Sequence, residues 1–103
     1  MQPEILNTGL SLAMEWGEDW LKPIQSRLAK QFPTLTPKEL DEVNAICQKA
    51  MRFGHQLVLT LAKQYGQESY QGMWETEFLR VCPWVNRENL GRLYSQGMYY
   101  AMK

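Results

Sequence analysis

One uninterrupted run, Thr36 to Gly66, constrains this chain more than any other feature of its sequence. Thr36-Pro37-Lys38-Glu39 reads as a capping box. Thr36 is the N-cap, Pro37 takes the first helical position, and Glu39 reaches back to the cap. Leu35 before the cap and Leu40 after it stand where a hydrophobic staple would form. From there Leu40, Val43, Cys47, Ala50, Gly54, Leu57 and Leu61 recur at alternating steps of three and four, one face of a helix. Gly66 supplies the stop. A helix from Pro37 to Tyr65 would be on the order of 43 Å long at the α-helical rise. In a chain of 103 residues such an element has to be the central support.

The remaining segments are read against that helix. Leu10, Met14, Gly17, Leu21, Ile24 and Leu28 keep the same spacing, and Pro23 falls inside their stripe. A proline there removes a backbone hydrogen bond and clashes with the preceding turn, so the segment is expected to kink or break near Lys22. A third segment, around Tyr70 to Val81, sets Tyr70, Met73, Trp74, Phe78 and Val81 on one side and is halted by Pro83. A fourth starts from Asn86 as N-cap and runs through Leu90, Leu93, Tyr94, Gly97, Met98 and Ala101 to the end of the sequence. Strand signals are almost absent. The expected fold is all-α: one domain over 1–103, a compact bundle of four helices arranged as two helical hairpins, or five helices if the first is broken at Pro23.

Two corners match. Phe32-Pro33-Thr34-Leu35-Thr36, followed by Leu40, is repeated in kind by Cys82-Pro83-Trp84-Val85-Asn86, followed by Leu90, fifty residues on. In each, a proline halts one helix and a staple orients the next. Duplication and independent use of one good corner both stay open. Two units are too few for a solenoid.

Charge excludes several functions. Lys and Arg number eleven, as do Asp and Glu, so the formal charge is zero. The balance also holds along the chain: 1–35 carry four acids and three bases, 36–66 three and four, and 67–103 four of each. No part offers the one-sided field that steers a protein to nucleic acid or to an anionic membrane. The corner before Leu40 resembles a helix-turn-helix in outline. Its second helix, however, would bring Glu39, Asp41 and Glu42 toward the phosphates. A nucleic-acid-associated regulatory protein of helix-turn-helix type is therefore the alternative reading, not the leading one. The longest uncharged apolar-rich run, Phe53 to Ala62, is too short and too polar to span a bilayer, and the N-terminus has no basic leader. The expected location is the cytoplasm, where Cys47 and Cys82 would be small buried thiols rather than a disulfide.

Candidate chemistry is sparse, and neither catalytic, cofactor-binding nor metal residues are expected. His55 is the one histidine, with Arg52 rather than a carboxylate three residues before it, and Cys47 lies two helical turns away. No nucleophile stands at helical contact spacing from His55, which reads as a partly buried, hydrogen-bonded structural residue. Glu15, Glu18 and Asp19 form an acidic cluster that would share a helix face. Trp16 and Trp20, four apart, would share a stripe beside it. Cys47, Ala50 and Gly54 make a small-residue strip, expected at a close helix crossing within the chain or across a two-fold axis. The stretch Tyr94 to Lys103 carries an unusual aromatic load, with Tyr94, Met98 and Met102 on one face and Tyr99 and Tyr100 around it. It is expected to dock onto its own domain or onto a second chain. These features point to a non-catalytic helical protein–protein interaction module, self-associating or binding another protein. Its candidate interface is Trp16, Trp20, Tyr94, Met98, Tyr99, Tyr100 and Met102.

Overall fold

Five α-helices carry the computed structural model, which describes residues 1–66 and 70–102. They are α1 (Pro3–Ala13), α2 (Gln25–Gln31), α3 (Pro37–Tyr65), α4 (Gln71–Val81) and α5 (Arg87–Ala101), with a 3₁₀ turn at Gly17–Asp19 after α1. No strand occurs among the described residues, so the chain is all-α. Lys103, the last residue of the aromatic C-terminal stretch, lies outside the described residues.

The long helix α3 forms over the 29 residues that its stripe predicts. Its capping box closes in both directions. The Glu39 amide donates to Thr36 Oγ1 at 3.1 Å, and the Thr36 amide donates to Glu39 Oε1 at 2.9 Å. Two of the donors that a helix N-terminus leaves over are thereby satisfied. At the other end Gly66 adopts a φ of 68°, a left-handed conformation that glycine reaches without strain.

The chain divides into two compact units, Met1–Met51 and Arg52–Lys103, with the boundary inside α3. In the first unit Leu10, Met14, Ile24, Leu28, Val43 and Cys47 are shut away from water. Such burial contributes about 1.5–3 kcal/mol for a large aliphatic side chain. Gly9 lets α1 sit close on α3: a methyl group at this position would stand 2.8 Å from Cys47 Sγ and from Val43 Cγ1. In the second unit Val58, Tyr70, Trp74, Phe78 and Leu93 form the buried centre. Trp74 stacks on Phe78 with ring centroids 4.9 Å apart, and its indole N–H donates to the Gly54 carbonyl at 2.9 Å. Gly54 also admits Leu93, whose Cδ2 lies 2.6 Å from where a methyl group would be.

The two Pro corners are the same piece of backbone. The residue that closes each helix, Phe32 or Cys82, has φ, ψ of −128°, 72° or −123°, 67°. Their amides donate to Leu28 and Phe78 carbonyls at 2.9 and 2.8 Å, and the next helices open with Leu40 to Thr36 and Leu90 to Asn86 bonds, each 2.9 Å. Asn86 caps α5 by accepting from the Asn89 amide at 2.9 Å. Beneath the corners lie Leu28 and Phe78, both buried.

The first segment is broken rather than kinked, which gives the five-helix alternative, but its stripe is corrected: the chain leaves the α-helix after Ala13 and returns to one only at Gln25. Met14 and Ile24 are buried, but Gly17 and Leu21 are exposed, so the intervening residues belong to a loop and not to a helical face. In α4 the buried face is the narrower series Tyr70, Trp74, Phe78. Met73 and Val81 are 43% and 59% exposed.

Candidate protein-interaction surface

The connection from α1 to α2 differs from the two Pro corners. Each Pro corner passes from one helix to the next in five residues, whereas this loop takes eleven, Met14 to Ile24, and has an ordered interior. Gly17 turns the chain with a φ of 91°, and the Trp20 amide donates back to the Gly17 carbonyl at 3.1 Å. Asp19 to Lys22 then form a second turn, closed by the Lys22 amide on the Asp19 carbonyl at 3.0 Å. Trp20 at φ −60°, ψ 126° and Leu21 at φ 67° give it type II geometry. The third residue of such a turn is ordinarily glycine, and a leucine held there costs roughly 1 kcal/mol. That leucine is also 63% exposed.

Aromatic surface is presented on the same loop. Trp16 and Trp20 lie with ring centroids 4.7 Å apart and planes at 32°, and Trp16 is 53% exposed. Their pairing comes through the 3₁₀ turn and not, as the spacing predicts, through a shared helical stripe. Glu15, Glu18 and Asp19 likewise share no helix face: the 3₁₀ turn sends Glu18 outward, while Glu15 pairs at 3.3 Å with Arg27 of α2.

Arg27 organises this loop. Its Nη1 donates to the Leu12 carbonyl at 2.9 Å and to Glu15 Oε2 at 3.3 Å; its Nη2 donates to the Lys22 and Pro23 carbonyls, each at 3.3 Å. From α3, Asn44 Oδ1 accepts the Ile24 amide at 3.1 Å, and the Gln48 side-chain amide donates to the Lys22 carbonyl at 3.4 Å. Spacing gives no sign of Arg27, whose bonds to Leu12 and Glu15 join residues too far apart in sequence for helical contact, and it sets Leu21 on an apolar stripe rather than at the surface. The break itself does have a signal: Lys22 precedes proline and is pushed off helical backbone, and Gly17 lies a turn earlier.

The aromatic C-terminal stretch is split between inside and outside. Tyr94 packs against Tyr70 and Trp74 at centroid distances of 6.3 and 5.3 Å, and the Tyr70 hydroxyl donates to Met98 Sδ at 3.2 Å. Tyr100 leans on His55 at 5.3 Å. Tyr99 and Met102 remain 56% and 53% exposed. Tyr94, Met98 and Tyr100 therefore serve the second unit's own packing, and Tyr99 and Met102 are what the helix presents to water.

His55 is half-buried with its Nε2 3.3 Å from Gln96 Oε1. Burial lowers its basicity, opposed by that hydrogen bond, so the neutral ring is favoured. Arg52, His55, Gln56, Leu59, Tyr100 and Ala101 surround an open hollow of about 400 Å³. A second, of about 430 Å³ beside Leu61, Tyr65, Met73 and Thr76, carries mostly apolar walls. Both cysteines are free and buried. The Cys47 thiol donates to the Leu6 carbonyl at 3.2 Å, and burial pushes its pKa up to about 12, which keeps it protonated and unreactive. Of the small-residue strip, Cys47 faces α1 at Gly9, and Gly54 faces α4 and α5 through Trp74 and Leu93. Among the described residues no three His, Cys, Asp or Glu side chains lie together as metal ligands, and no helix is long and apolar enough to cross a membrane.

Compared with family models, curated proteins and solved structures, the chain matches none.

Proposed function

We propose that this chain is a non-catalytic protein–protein interaction module whose contact surface is the Trp16–Leu21 loop. The observation that carries the reading is Leu21, a large apolar side chain held exposed on left-handed backbone, next to an exposed tryptophan. Backbone strain of this kind accumulates where a surface is used, because folding alone selects against it. Exposed tryptophan adds the rigid apolar area that anchors protein contacts.

A second copy is the first partner to test, since a chain of zero net charge lacks the repulsion that keeps copies apart. Sedimentation of the wild type and of Trp16→Ser over a wide concentration range decides this. Mass that climbs with concentration in the wild type and stays monomeric in Trp16→Ser supports self-association through the loop. A wild type that stays monomeric rejects the second copy and leaves a different protein as the partner.

A further inference from the structure

Resting on that reading, we propose that Arg27 is the positioning residue of the interaction surface: its guanidinium closes the neck of the loop from Met14 to Ile24, so that Trp16, Trp20 and Leu21 are presented already folded. One planar group gathers both ends of the loop. Nη1 takes the Leu12 carbonyl and the Glu15 carboxylate on the outgoing strand of chain. Nη2 takes the Lys22 and Pro23 carbonyls on the returning strand. Leu12 O belongs to the last turn of α1, where it also accepts the Glu15 amide at 3.3 Å. The Arg27 side chain is only 15% exposed and the Glu15 side chain 42%, so the arginine is the protected member of the neck.

Lysine cannot replace this group. Its single ammonium has no fixed fork and cannot serve two strands of chain with divergent donors. Without the fork, the two internal turns lose the bonds that close the loop behind them and open more often, although other contacts, among them those from Asn44 and Gln48, remain. A mobile loop has to be ordered by its partner, and that ordering is subtracted from affinity. A closed one presents the Trp pair and the exposed leucine in a single arrangement.

The test reads the loop and needs no partner. Paired tryptophans at this distance and tilt couple their far-ultraviolet transitions, and the signal that Trp16→Phe removes reports the pair. Arg27→Lys is expected to lose the same signal while keeping the helical signal and a cooperative melt. Amide exchange at Trp20 and Lys22 should rise roughly tenfold in that variant, with α3 unchanged. Arg27→Lys keeping both the couplet and the slow exchange would overturn the proposal. Should the variant fail to fold, the wild type alone decides: Trp20 and Lys22 amides exchanging at the rate of unstructured chain would overturn it, and protected ones support it. A loop that stays closed in a protein that binds nothing would instead remove the interaction reading and leave the role of Arg27 in place.

Discussion

Leu21 is the residue at which local rules and the observed backbone disagree most. Its φ of 67° suits glycine, and its side chain is 63% exposed. Replacing it with glycine removes the strain and little packing, so Leu21→Gly should raise stability by about 1 kcal/mol. Thermal or urea unfolding of the two proteins measures this, and a destabilised variant would show that Leu21 packs usefully where it is. The same substitution removes an exposed apolar side chain from the contact surface, so stability and association should move in opposite directions. The sequence hides this residue well. Leu21 continues a stripe of Leu10, Met14, Gly17, Ile24 and Leu28, and four of those six positions are buried. The periodicity persists because the loop returns the chain to the core at Ile24, not because the helix continues.

At the scale of elements, the parts written in short-range chemistry are the parts that can be read. The boundaries of α3 follow from Thr36, Glu39 and Gly66, each acting within one helical turn of its own position. The caps of both Pro corners are legible for the same reason. What spacing cannot supply is the choice among apolar residues on one helix, as Met73 and Val81 show. Glycines add a second layer that depends on neighbours. At Gly97 a methyl group would stand 2.6 Å from Val58 Cγ2 and 3.0 Å from Val58 Cβ, whereas at Gly72 it would meet open space. Gly97→Ala should therefore cost about 1–3 kcal/mol through overpacking. Gly72→Ala, at the exposed second position of α4, should gain up to about 0.5 kcal/mol from helix propensity, less than in a helix interior. Equal effects at the two sites in denaturant unfolding would contradict the packing described around Val58.

Across the whole molecule, each compact unit hides its own large side chains and leaves a short series of apolar groups in water. In the first unit these centre on Trp16 and Leu21, and in the second they include Met73, Val81, Tyr99 and Met102. Trp16 and Trp20 were legible in sequence as an unusual pair, and so was the heavy aromatic load near the C-terminus. Their division into core and surface was not, because it depends on Arg27 folding a loop and on His55, Tyr70 and Trp74 claiming Tyr94, Met98 and Tyr100. The central claim is that the protein works through the Trp16–Leu21 loop, and a photocrosslinking amino acid placed at Glu18 in the full chain, in its native cell, tests it most directly. Adducts to a protein, whether a second copy or another chain, should form from position 18 and be lost when Trp16→Ser is added, while the exposed control position Lys30 gives none. Equal labelling from positions 18 and 30, or adducts that persist in Trp16→Ser, would contradict it.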